Sequence, residues 1–97
     1  MSTRKAPYTY ATLSATSGRP PALSISFYDN DLMCLADVLT GTRPCLMITN
    51  REATVAISTT GAGPVTEADV AAARLLHEAA VRYLADCERL LKAEKAA

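Results

Sequence analysis

The sequence has no tryptophan, one phenylalanine and one histidine, and aromatic residues reach only 5%. It also lacks a charge excess: Lys plus Arg and Asp plus Glu both number 10, so the formal net charge is zero. A histone-like DNA packer or an acidic DNA mimic needs a strong field of one sign, and neither is compatible with this balance. No stretch of 18 apolar residues is present, so no membrane-spanning helix is expected. The basic pair Arg4-Lys5 is followed by a Ser- and Thr-rich segment, Tyr8 to Thr16, in place of an apolar one, so no signal peptide is expected.

The three cysteines, Cys34, Cys45 and Cys87, are widely spaced and form no CxxC pair. An odd, scattered set is a poor disulfide framework and a poor zinc site. Each sits among apolar neighbours, so all three are expected to be reduced and mostly buried, in a cytoplasmic protein.

What is present is a globular composition: 97 residues, 49% hydrophobic and 21% charged. That is the size of one domain, 1–97, with one small core. Its expected organisation is a basic tail over 1–7, two hairpins with an intervening short helix over 8–59, and a long helix over 66–95. Tyr8 to Thr16 alternates, with Ala11, Leu13 and Ala15 against Tyr8, Tyr10, Thr12 and Ser14. Ala22 to Tyr28 alternates more cleanly, Leu23, Ile25 and Phe27 facing in. Gly18, Pro20 and Pro21 interrupt the two, which predicts a hairpin with a loop longer than a tight turn. A second hairpin is expected from Cys45–Thr49 and Ala53–Thr59, joined by the turn at 50–52.

Between the hairpins, Asp29-Asn30-Asp31 offers helix-capping side chains. Leu32, Leu35, Ala36 and Leu39 then follow at i, i+3, i+4 and i+7, with Gly41 placed to end a short helix. Farther on, Thr66 and Asp69 form an Asp version of the capping box, with Val65 and Val70 at the staple positions. From Glu67 the chain is rich in helix formers and free of Gly and Pro. Ala73, Leu76, Ala80, Leu84, Cys87 and Leu91 share one stripe, opposite Arg74, Glu78, Arg82, Asp86, Arg89 and Lys92. Glu78–Arg82 and Glu88–Lys92 stand in the favourable i, i+4 order. The resulting expectation is an α+β fold of order ββαββα: one four-stranded, antiparallel-rich sheet with both helices on one face.

A 28-residue helix is about 42 Å long, while a seven-residue strand spans about 23 Å. The helix should therefore overhang its sheet, and its apolar stripe should continue into the overhang. Leu84, Cys87 and Leu91, bordered by Leu75, Tyr83 and Leu90, are accordingly the expected contact with a second protein surface, most simply a second copy of the chain.

Catalytic chemistry has little support. His77 stands alone, with no local nucleophile motif around Cys34 or Cys45. Asp29, Asp31 and Asp37 are better explained by capping and by an exposed face than by a metal, so no metal and no cofactor is expected. Gly61-Ala62-Gly63 precedes a helix start but lacks the Lys of a phosphate loop and the third Gly of a dinucleotide fingerprint. The outer sheet face carries Tyr8, Tyr10 and Tyr28, with Arg19, Arg43 and Arg51 in turns as accompanying cations. Such a face suits a protein interface, or stacking of single-stranded nucleic acid as the alternative. Small chains without catalytic motifs are common among phage and mobile-element accessory proteins, including inhibitors of host defence. The sequence therefore points to a non-enzymatic, homodimeric protein-binding module that inhibits or adapts a host protein complex.

Overall fold

The computed structural model describes residues 6–96; the basic pair Arg4-Lys5 of the expected tail lies outside them. The fold is α+β: two antiparallel sheets, of two and three strands, a 3-10 turn and one long C-terminal helix. Strands β1 (Tyr8–Ser14) and β2 (Ala22–Tyr28) pair antiparallel. Their register sets Tyr8 against Tyr28, Tyr10 against Ser26 and Thr12 against Ser24. Thr9 faces Phe27, Ala11 faces Ile25 and Leu13 faces Leu23. The polar and apolar sets read from the alternation thus fall on opposite faces, because side chains alternate strictly along a strand. Within the connection, Arg19 N donates to Thr16 O at 3.1 Å, and Gly18 takes the positive φ, +80°, that this turn needs.

The segment expected as a short helix is a strand, β3 (Met33–Leu39). Two features decide this. Leu32, Leu35, Ala36 and Leu39 match a helical period, but Met33–Leu35 and Cys34–Ala36–Val38 also make both faces of a strand apolar. In addition, Gly41 does not cap a helix. Thr40 and Gly41 have φ of 52° and 76°, and Thr42 N donates to Leu39 O at 3.2 Å. Positive φ at both central residues is the signature of a two-residue type I′ turn, which fits the twist of a hairpin. The chain therefore reverses directly into β4 (Arg43–Thr49). Strand β5 (Thr54–Ser58) completes a sheet of order β3-β4-β5. The expected hairpin of β4 and β5 is present, but five strands in two sheets replace four in one, since β3 joins β4 and does not extend the β1-β2 ladder.

After β5 comes a 3-10 turn (Thr60–Ala62) and then α1 (Glu67–Ala96), 30 residues and about 45 Å long. Arg82 Nε donates to both oxygens of Asp86, at 3.3 and 3.1 Å, and Arg89 joins the same carboxylate. Arg82 thus turns toward the C-terminal neighbour in place of the expected Glu78.

The chain divides into two compact units. One holds residues up to Asp37 and Cys45–Ile57, hence the β1-β2 hairpin and most of the second sheet; the other holds Val38–Pro44 and Ser58–Ala97, hence the β3-β4 turn and α1. Neither contains a buried residue among those described. In α1 only Asp69, Leu76 and Asp86 are even half-buried. In each unit the apolar side chains are exposed or at most half-buried, those of α1 exposed except at Leu76. For the same reason Cys34 and Cys87 are exposed and Cys45 is half-buried, all three as free thiols. Apolar neighbours bury a cysteine only where something covers the face they share.

Candidate functional site

Two local polar clusters organise the units. In the first, Asn50 begins the β4-β5 turn. Its Oδ1 accepts from Glu52 N and Ala53 N, both at 2.9 Å, which is an Asx turn. Its Nδ2 donates to Thr9 Oγ1 at 2.7 Å and to Asp29 Oδ2 at 3.3 Å. One side chain thereby ties β1, the end of β2 and the β4-β5 turn. Sequence reading identified the turn but not this tie, because Thr9 is 41 positions away. A shallow depression of about 310 Å³ beside it is lined by Asp31, Leu32, Met33, Thr49, Asn50 and Arg51. Arg51 lies 3.5 Å from Asp31, so its charge is already partnered.

In the second unit the expected capping box is present. Thr66 N donates to Asp69 Oδ2 at 3.0 Å, and Asp69 N donates to Thr66 Oγ1 at 3.1 Å. The Thr60 amide and hydroxyl also donate to Asp69 Oδ1, at 3.0 and 2.6 Å. Led by the Thr60 hydroxyl, these donors stabilise the charged carboxylate and bring its pKa from the ordinary 3.8 down to about 2. The chain thus supplies its own carboxylate to the amides at the start of α1, next to the Gly61-Ala62-Gly63 segment.

The expected aromatic face forms in part. Tyr8 and Tyr28 stack across the ladder with ring centroids 4.9 Å apart, tilted by 42°. Tyr10 lies on the same face, one alternation along. The three arginines stand in different settings. Arg19 is in the β1-β2 connection, at the opposite end of seven-residue strands, about 20 Å away. Arg43 starts β4, half-buried, with its Nε enclosed and without a hydrogen-bond partner. Arg51 is engaged by Asp31.

The expected helix surface is open. Leu75 and Tyr83 are 69% and 73% exposed, and Leu84, Leu90 and Leu91 are exposed by more than half. Tyr83 and Cys87 stand one helical turn apart, and a hydrogen bond with the Cys87 thiol pushes the Tyr83 pKa up. Leu75 is set off from the stripe, on the side carrying Arg82 and Asp86. Cys34 and Cys45 belong to one unit and His77 to the other. Among the described residues no group of three or more His, Cys, Asp or Glu side chains is placed to hold a metal. No described helix is long and apolar enough to cross a membrane. No family model matches the chain, and no curated protein or solved structure matches it either.

Proposed function

We propose that this chain is a non-enzymatic protein-binding module that works as a self-associated assembly, with the apolar stripe of α1 as a principal contact surface. One observation carries the reading: no described residue is buried, while leucines and valines lie exposed along the full length of α1. Apolar area of this extent is stable in water only when another surface covers it. A second copy is the simplest cover, because two-fold assemblies dominate among soluble oligomers. The zero net charge removes long-range repulsion between copies. Short length and the want of a catalytic motif support an accessory role, inhibiting or adapting a larger protein complex. Three free thiols suit a reducing, cytoplasmic compartment.

The test replaces two leucines of the stripe. Leu84→Asp with Leu91→Asp should dissociate the assembly in sedimentation equilibrium while the capped start of α1 remains helical by circular dichroism. An unchanged mass would remove the α1 stripe from the contact surface.

A second reading, single-stranded nucleic-acid binding, is favoured by the stacked Tyr8–Tyr28 pair with Tyr10 beside it. Fluorescence polarisation with a labelled oligonucleotide separates the two. A nucleic-acid site loses affinity steeply as salt rises, and an apolar protein contact does not.

A further inference from the structure

We propose that two copies of α1 pair antiparallel along their whole length, in the one register that sets Arg74 against the partner's Glu88 and Glu67 against the partner's Lys95. The proposal rests on the self-association reading above and deepens it by naming the seam, its direction and its register. Val70, His77, Leu84 and Leu91 recur every seven residues on α1, and Ala73, Ala80 and Cys87 stand three residues after the first three of them. Alternating steps of three and four are the spacing of a two-stranded coiled coil. All of these side chains are exposed.

The two sets differ in size, and that difference determines the direction. In a parallel pair each residue meets its own copy, so Ala73 and Ala80 would leave voids in their layers while His77 met the partner's His77. In an antiparallel pair the sets cross. With Ala80 against the partner's Leu84, Ala73 meets the partner's Leu91 and Cys87 meets the partner's His77. Each layer then holds a small side chain against a large one, which fills the seam. The same register puts the two-fold axis at the height of residue 82, the middle of a helix that runs from Glu67 to Ala96, so the two copies overlap end to end.

Charge selects this register over its neighbours. Glu67, Arg74, Val81, Glu88 and Lys95 also recur every seven residues, along one border of the seam. Antiparallel helices meet border to like border. Centred as above, Arg74 faces the partner's Glu88, Glu67 faces the partner's Lys95, and Val81 faces its own copy. Symmetry forms each charged pair twice. A slip of one heptad in one direction sets Glu67 against the partner's Glu88, and in the other Arg74 against the partner's Lys95. Both slips bring like charges together and are disfavoured. None of these four charges has an ion-pair partner among the described residues, whereas on the outer arc Arg82 and Arg89 both pair with Asp86. The other border is apolar and matches itself, Leu76 with the partner's Leu90 and Tyr83 with its own copy. The charge pattern of α1 is thus its own complement, which argues for a second copy over an unlike protein.

The test exchanges the charges in the full chain. Arg74→Glu alone and Glu88→Arg alone should each raise the dissociation constant about tenfold in sedimentation equilibrium, since two attractive contacts become repulsive. Arg74→Glu together with Glu88→Arg should bring it back to within about threefold of the wild type. Single variants that change nothing, or a double variant as weak as the two single losses combined, overturn the register and leave self-association standing through another arrangement. A wild-type chain that stays at 10.3 kDa at every concentration overturns both. Should a charge variant lose its helical circular dichroism, cross-linking decides. The register holds the two Cys87 residues of a pair at least about 15 Å apart along the helix axes, beyond the roughly 7 Å between Cα atoms that a disulfide can bridge. In His77→Cys, mild oxidation should link the introduced thiol at position 77 to the partner's Cys87, read by peptide mass mapping. A Cys87–Cys87 link in the wild-type assembly, or no link from position 77, overturns the register.

Discussion

Asn50 and Asp69 perform the same task in the two units by different chemistry. Asn50 joins segments distant in sequence through a neutral amide that both donates and accepts. Asp69 joins neighbours no more than nine positions away through an ionised carboxylate that only accepts. The first is a tertiary tie made by a neutral side chain; the second is a local cap made by a charged one, and acid-sensitive. Around both, no described apolar residue is buried. The hydrogen bonds of Asn50 and Asp69 are thus made within one chain, whereas no described apolar side chain is buried within it. The physical reason is directionality. A hydrogen bond needs one partner at the right place, while hydrophobic burial needs area, and neither unit holds enough of it on its own.

The largest expected effect is on the apolar side of this contrast. Fully burying a leucine is worth about 1.5–3 kcal/mol, so Leu84→Asp with Leu91→Asp should weaken self-association by at least about a hundredfold, read from sedimentation. On the polar side, Asn50→Ala should cost about 2 kcal/mol in denaturant unfolding, because it strands the donors and acceptors it served. Asn50→Asp sharpens the contrast. It keeps the acceptor of the Asx turn but loses the donor to Thr9 and places a second carboxylate beside Asp29. A loss nearly equal to that of alanine assigns the stabilisation to the long-range tie. Thr66→Ala should cost about 1 kcal/mol, the usual worth of an N-cap. An unchanged midpoint would mean that α1 does not depend on this cap.

The acid response is the smallest and most local. Asp69 has its folded pKa lowered to about 2, so its stabilisation is present above about pH 4 and is lost as the pH falls toward 2. Amide exchange should show residues 60–70 loosening over that window.

The sequence made legible what short-range physics determines. The β1-β2 register follows from strict alternation, and the start of α1 from Thr66 and Asp69, because each signal lies within a few residues of its consequence. Strand β3 was not legible. Its leucines satisfy a helical period, and a strand apolar on both faces shows no alternation to oppose it. Gly41 serves a helix end and a type I′ turn equally well, and only the conformation of Thr40 separates them. The Asn50–Thr9 bond was hidden by its span along the chain. Among the site residues, Tyr8, Tyr10 and Tyr28 were correctly placed on one face, since alternation and register determine that. Arg19 was not brought to them, because a turn residue lies at the end of the ladder that its loop closes. The cysteines were expected to be buried on the premise that the chain covers its own apolar faces, and exposed Cys34 and Cys87 contradict that premise.

The central claim is that this chain completes its apolar order with a second copy of itself. Sedimentation equilibrium of the unaltered chain, from nanomolar to high micromolar concentration, tests it most directly. The account predicts a mass that rises from 10.3 kDa to a whole multiple of it. A mass fixed at 10.3 kDa across the whole range would contradict it.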